Sequence, residues 1–302
     1  MNTFKEIHAA AKEKVKNSGC FKAGILAPSR PEHFKATKRG IEEGYIAPIF
    51  LGDKDEITAL LASEGLNPGD CQVIESKNPL DDGLSMAATG KVQLLMNGGI
   101  TVREMADHIG RPNLHFASEG KIASHIGVME ISGYHKLLLV TDSVSVQSPQ
   151  TTDRISIMEN AAAVARLIGI PRAKAALLAA VEAIYPAVPV TMEEAAIAKM
   201  GERGQIKDLI IDGPLSFDCA INEEVAHQKG IKNSPVAGDT DIFITPTIET
   251  ANGIYKALVM YARANAGGLI YGGKVPVATA FEVDSADNIL NSIALAVLAA
   301  AG

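Results

Sequence analysis

Short groups of small and polar residues interrupt the apolar runs of this chain: Pro28-Ser29-Arg30, Gly52-Asp53, Asn97-Gly98-Gly99, Thr141-Asp142-Ser143, Asp212-Gly213-Pro214, Pro246 and Gly272-Gly273. Several contain glycine, which lets a ligand come close to the backbone. Each follows a strand-like run, and in open α/β sheets ligands collect beyond the carboxyl ends of the strands. A plainer account stands beside this one, because turns between strands and helices need Gly, Pro and Asp for their own geometry.

Familiar constellations are absent from the sequence. No G-x-G-x-x-G follows the first strand and no G-x-x-x-x-G-K-[ST] occurs. There is no G-x-S-x-G elbow. The histidines, His8, His33, His108, His115, His125, His135 and His227, form no H-E-x-x-H arrangement, so a zinc site is not expected. His125, beside Ser124 and ahead of a strand, is the one placed near a cleft; its other reading is a hydrogen-bonded structural histidine. Asp239 and Asp241 flank Thr240 with a spacing that fits a divalent cation and equally fits a turn that starts an element.

Residues at strand ends need a sheet to hold them, and the pattern supplies one. Strand-like runs at 23–28, 47–53, 71–76, 92–99, 126–131, 136–143, 209–211 (running into Asp212-Gly213-Pro214) and 240–246 alternate with helical periodicity at 34–45, 54–66, 152–170, 191–204, 221–231, 249–264 and 285–301. The run "KAALLAAVE" (174–182) suits either element, and "AGGLIYGGKVPVATA" gives one or two strands. Alternation of this kind implies an α/β fold with a parallel or mostly parallel sheet covered on both faces.

Composition bounds the rest. The 302 residues suit one large α/β domain or two lobes, and an apolar fraction of 47% is ample for a core. The net charge of −7 argues against a nucleic-acid surface. A phosphate can still bind locally at a helix N-terminus. Three widely spaced cysteines, Cys20, Cys71 and Cys219, fit a reducing compartment. The N-terminal stretch reads as a charged amphipathic helix and not a signal peptide. "SIALAVLAAAG" is too short to span a bilayer and reads as a core helix. The expectation is a soluble cytoplasmic protein without membrane or nucleic-acid partners.

Several ordered segments resemble the phosphate acetyl/butyryl transferase family: "RGQIKDLIIDGPLSFDCAI", "HQKGIKNSPVAGDTDIFITPTIETANGIYKAL" and "AGGLIYGGKVPV", supported by "AATGKVQLLMNGG" and "SHIGVMEI…KLLLVTDS". The resemblance runs from about residue 84 onward. It implies a two-lobed α/β protein similar to the isocitrate and isopropylmalate dehydrogenase architecture, with lobes at 1–115 plus 270–302 and at 116–269. It implies an active cleft between lobes, a homodimer, and transfer of an acyl group between coenzyme A and inorganic phosphate. Coenzyme A is then a substrate, and no metal or redox cofactor is expected. In this frame Asp212-Gly213-Pro214 ends a central strand, and Ser216 and Asp218 occupy the next turn, where they bind ligand or cap a helix.

Relatives carry Ser-Arg in a stretch like "vPivlTSRaDS". Here the stretch is "VPVATAFEVDS" (275–285), so Phe281 and Glu282 take those places while Asp284 and Ser285 match. The family arginine would contact phosphate or coenzyme A, and Glu in its place changes the charge by two units. Asn97 stands where butyryltransferase-like members have lysine, and keeps a donor without the charge. "TDSVSVQSP" (141–149) also departs from its counterpart. Compensating cations are sought among Arg30, Arg103, Arg111, Arg154 and Lys256; Arg154 and Arg103, just after strand-end turns, rank first. The expected site comprises Asp284 and Ser285 as catalytic residues. Asn97, Gly98, Gly99, Thr101, Ser143, Arg154, Gly213, Pro214, Ser216, Asp218, Asn252, Lys256 and Gly272 are expected to bind substrate. "FASEGK" (116–121) either faces the acyl pocket or does not. The main reading is a phosphate acyltransferase of acetyl or butyryl type. The alternative is an altered or inactive relative that binds CoA-like or phosphorylated ligands. A metal-dependent dehydrogenase would need a metal cluster and a nucleotide site that the sequence does not offer.

Overall fold

The amphipathic N-terminal segment forms α1 (Phe4–Ser18), and its start is fixed by a reciprocal cap. The Thr3 hydroxyl accepts from the Glu6 N–H, while the Glu6 carboxylate accepts from the Thr3 N–H. Two donors that a helix start would otherwise leave unpaired are thereby satisfied. The structure, a computed structural model, describes residues 1–67, 71–109, 116 and 122–301. Arg111, His115 and all of the 116–121 stretch except Phe116 lie outside these residues.

The elements that follow are β1 (Phe21–Leu26), α2 (Pro31–Glu42), β2 (Ile46–Gly52), α3 (Lys54–Ser63), β3 (Gln72–Glu75), α4 (Pro79–Ala88), β4 (Leu94–Met96), α5 (Val102–Ile109), β5 (Ser124–Glu130) and β6 (Leu138–Thr141). They continue as α6 (Thr151–Leu167), β7 (Ala173–Leu178), α7 (Pro189–Glu202), β8 (Leu209–Leu215), α8 (Phe217–Ile221) and α9 (Glu223–Gln228). The last are β9 (Ile242–Ile244), α10 (Ile248–Met260), β10 (Asn265–Tyr271), β11 (Val277–Ala278) and α11 (Ala286–Ala299). The chain divides into two units, residues 3–125 with 265–302, and residues 126–264 with 1–2. The sequence expectation draws these boundaries at 115/116 and 269/270.

In the first unit the strand order is β3-β2-β1-β4-β11-β10, parallel except where β10 meets β11. In the second it is β5-β6-β9-β7-β8, parallel except for β5 against β6. The mostly parallel α/β reading of the sequence is therefore what the chain forms. Ala23–Leu26 and all of β4, β6 and β9 are buried at every position. Successive strand side chains point to opposite faces, so unbroken burial means that both faces are covered, as parallel strands require.

Helix α11 is buried at every residue from Asn288 to Leu298. A helix enclosed all round needs its polar side chains matched. Asn288 Oδ1 accepts from the Ala266 N–H at 3.1 Å, Ser292 Oγ accepts from the Gly268 N–H at 2.9 Å, and Asn291 Nδ2 donates to the Ala266 carbonyl at 3.0 Å. Gly267 makes this approach possible, since a Cβ there would lie 2.9 Å from the Asn291 Cβ.

Some sequence expectations need correction. The ambiguous 174–182 run is strand up to Leu178, as β7, and irregular over 179–182. The helix expected over 221–231 is shorter, α9 at Glu223–Gln228, and a separate short helix, α8, precedes it; Asn222 stands between them and caps α9 by accepting from the Val225 N–H. Asp212-Gly213-Pro214 does not end a central strand: β8 runs on through them to Leu215 and stands last in its strand order. A strand at that position tolerates proline, because the missing N–H removes no ladder bond. Gly213 is needed for contact with β7, as a Cβ there would lie 2.5 Å from the Leu177 Cβ.

Candidate functional site

Strand β4 ends in a tight turn that its own residues dictate. Gly98 takes φ +53°, and a Cβ there would sit 2.0 Å from the Leu26 carbonyl oxygen; at Gly99 it would sit 2.1 Å from that of Ala27. The Gly99 N–H donates to both carbonyls. Asn97 is buried and pins the turn to the 280 segment. Its Oδ1 accepts from the Ala280 N–H at 2.7 Å, and its Nδ2 donates to the carbonyls of Ile100 and Ala280 at 2.5 and 3.2 Å. Both amide hydrogens are thus taken up by backbone, so Asn97 acts by positioning.

The 281–285 segment closes on itself. Buried Asp284 accepts from the Phe281 N–H at 2.9 Å and from Asn288 Nδ2 at 3.3 Å. Ser285 caps α11 by accepting from the Asn288 N–H at 3.2 Å. Phe281 is buried, edge-on to the His125 ring at 5.3 Å. His125 is itself fully buried, pairs its Nε2 with Thr279 Oγ1 at 3.2 Å, and is pushed down to about 3 by burial. Its structural reading is the one that this geometry matches. Thr101 caps α5 by accepting from the Glu104 N–H.

Arg30 meets this segment from the end of β1. Its guanidinium donates to the carbonyls of Phe281 at 2.9 Å and Glu282 at 3.1 Å. It also lies on His33 Nε2, with Nε at 3.2 Å and Nη2 at 3.1 Å. An arginine only donates, so Nε2 accepts and the imidazole is neutral. Burial, and then the Arg30 charge, lower His33 to about 4. Arg30, His33, Gly98, Gly99, Ala280 and Glu282 line a cavity of about 130 Å³. That volume suits a phosphate-sized ion.

The second unit carries its own strand-end cluster. Buried Asp142 accepts from the N–H groups of Val144, Ser145 and Val146 at 2.9–3.0 Å, folding the loop after β6 around one carboxylate. The Ser143 carbonyl accepts from Asn252 Nδ2 at 3.2 Å. Lys256 lies one turn further along α10, on the same face as Asn252. Beyond β7 and β8, Lys229 Nζ lies 3.0 Å from Glu182 Oε1, Ser216 Oγ and Asp218 Oδ1, and Ser216 also bonds both carboxylates. Burial opposes ionisation of Glu182, but hydrogen bonds from Ser216 and Lys229 outweigh it and hold the carboxyl at about 2. The same two partners hold Asp218 at about 2. Glu182, Asp218 and Cys219 lie close enough to share a metal ion, but Lys229 already supplies the positive charge there.

The two top-ranked arginines have other partners. Arg154 is buried, with Nη1 3.3 Å from Glu193 and Nη2 3.1 Å from Glu194, and it joins α6 to α7. Arg103 pairs with Asp107 along the exposed face of α5. At the Asp239–Asp241 turn the cations are Lys136, 2.7 Å from each carboxylate, and Lys174, 2.6 Å from Asp239. Gly272, at φ +105°, sits in the turn after β10. Sequence reasoning missed His33, Glu182 and Lys229. His33 was legible as one helical turn beyond Arg30; Glu182 was hidden because the end of β7, four residues before it, was not legible in a run that suited either element.

A family model described as phosphate acetyl/butaryl transferase matches residues 78–297. The chain belongs to the phosphate acetyl/butyryl transferase family. Among this family's members, the phosphate butyryltransferase of Clostridium acetobutylicum is 34% identical over 95% of this chain and 96% of its own length. The phosphate acetyltransferase of Thermotoga maritima is 36% identical over 91% and 93%. A branched-chain phosphotransacylase from Enterococcus faecalis V583 superposes with a TM-score of 0.78 at 26% identity, over 93% of this chain and all of that one. A phosphotransacetylase from Streptococcus pyogenes, at 19% identity, shares the fold with a TM-score of 0.81 over 98% of each chain.

Proposed function

We infer that this protein is a phosphate acyltransferase that moves a short acyl group between coenzyme A and inorganic phosphate. The observation that carries the reading is identity of about a third, over nearly the full length, to relatives named phosphate butyryltransferase and phosphate acetyltransferase. A phosphate oxygen attacks the thioester carbonyl carbon. A C–O bond forms as the C–S bond breaks, giving an acyl phosphate, and the thiol takes the proton that phosphate loses. The reaction balances with acyl-CoA and phosphate alone, so catalysis rests on positioning two bound reactants and on donors placed at the developing oxyanion.

The residues fall into roles on this reading. The Gly98–Gly99 turn forms the floor of a small anion pocket, which Asn97, Asp284 and Ser285 hold in shape. Ser143, Asn252 and Lys256 supply polar groups at the end of β6 and along α10, and the Ser216–Asp218 cluster does so beyond β8. The acyl group is of acetyl or butyryl type, and the enzyme is a cytoplasmic homodimer. Among the described residues no helix is long and apolar enough to cross a membrane.

Incubation of the pure protein with phosphate and a panel of acetyl-, butyryl- and branched acyl-CoA, followed by thiol release, tests the reading. Phosphate-dependent thiol release with at least one short acyl-CoA is expected. Silence across the whole panel removes it.

A further inference from the structure

We propose that Arg30 is the phosphate-binding cation of this enzyme, delivered from the loop after β1 in place of the arginine that relatives carry where Glu282 stands. The proposal rests on the acyltransferase reading and names a residue of that same site.

Three observations carry it. First, among the described residues lining the 130 Å³ cavity, Arg30 is the one permanent cation, while Glu282 is the one carboxylate. An anion entering a cavity with a carboxylate at its wall needs a compensating charge close by. Second, the Arg30 charge is held but not neutralised. Its partners are the carbonyls of Phe281 and Glu282 and a neutral imidazole, and no carboxylate of the described residues lies within ion-pair distance of it. Carbonyls and a neutral ring fix the guanidinium plane and leave its charge for a ligand. Third, the carbonyls that Arg30 grips belong to the very residues that stand in the Ser-Arg places. The guanidinium therefore reaches the wall from which the family arginine would project, while Phe281 is buried in the core and Glu282 stays exposed at the cavity's edge. The other candidates do not serve, since Arg154 and Arg103 already face carboxylates. Arginine also suits the ligand, because it stays charged at any working pH, and one Nη1 hydrogen remains beyond those given to His33, Phe281 and Glu282.

The neutral state of His33 belongs to the same device. A protonated imidazole would repel Arg30; the buried neutral ring instead accepts from it and sets its rotamer. His33 is a positioning residue.

Steady-state kinetics with phosphate and acyl-CoA varied separately test the assignment. Arg30→Gln is expected to raise KM for phosphate tenfold or more with little change in KM for acyl-CoA, and Glu282→Gln to lower KM for phosphate severalfold. The double variant Arg30→Gln/Glu282→Arg is expected to regain part of the lost phosphate affinity. An unchanged phosphate KM in Arg30→Gln overturns the proposal, and so does a fall in kcat with both KM values intact, which marks a structural role. Should Arg30→Gln not fold, Glu282→Gln decides alone: a lower phosphate KM supports the assignment and an unchanged one overturns it. Calorimetry with inorganic phosphate separates this from the acyltransferase reading. If wild type binds phosphate, Arg30→Gln does not, and no acyl-CoA is turned over, the reaction is wrong and the anion site stands. If wild type turns over acyl-CoA and Arg30→Gln binds phosphate as tightly as wild type, the site assignment fails and the reaction stands.

Discussion

Single residues in this protein do what their neighbours allow more than what their type suggests. His33 shows the rule. Free in solution its imidazole would gain a proton near pH 6.5, but burial and then the Arg30 charge lower it to about 4. The depressed value means that folding favours the neutral form. Its contribution to stability is complete above about pH 6.5 and is lost as pH falls from there through 4. Thermal denaturation should therefore show wild type ahead of His33→Asn at pH 7, with the margin narrowing below pH 6.5; a margin that grows on acidification contradicts the account. Arg154 shows the same rule from the other side. By sequence it sits just past a strand-end turn, yet it is buried against Glu193 and Glu194. Nothing in local sequence tells that α7 brings two carboxylates to meet it, because the meeting depends on how two helices pack.

At the scale of elements, the sequence was most legible where periodicity is strong. Continuous apolar runs became parallel strands, and the C-terminal apolar run became the enclosed helix α11. It was least legible where strand and helix share composition, as in 174–182, or where one residue restarts a helix, as at Asn222. The site itself is a product of turns. Asn97 joins the end of β4 to the segment after β11 by two hydrogen bonds to Ala280, and a third, to the Ile100 carbonyl, closes its own turn. Asn97→Ala leaves the Ala280 N–H and two carbonyls unpaired in a buried place, which costs roughly 2–4 kcal/mol. Differential scanning calorimetry should register the loss, and phosphate-dependent turnover should fall with it, since the Gly98–Gly99 turn is no longer held. A melting temperature equal to wild type would mean that the amide is not the joint described.

The whole molecule is acidic, at −7, yet its proposed ligands are anions. Local placement of charge resolves this: cations act within about 10 Å at ordinary salt, so one arginine in a small cavity outweighs a distant surface. Family and fold class were readable because ordered segments keep their spacing over most of the chain, and the match over residues 78–297 agrees. The altered centre was readable only as a loss, since the residue that answers Glu282 lies some 250 positions away in sequence and is brought near by pairing of β1 and β11 with β4. The second unit also exposes Ile184, Tyr185, Met192 and Phe217. Exposed apolar side chains of this size suit a subunit contact. Light scattering on the purified protein is expected to give twice the 31.7 kDa chain mass, and a monomer at working concentration would refute the dimer.

Phe281 fills the space beside His125 with an aromatic ring. Putting serine back at that place would open a void against a buried imidazole and destabilise the turn that follows. Phe281→Ser is therefore expected to lower the melting temperature, and the loss would accompany any change of activity in that variant. Substitutions in the wall around Arg30 that spare Phe281 leave this packing intact and are the cleaner way to alter the cavity.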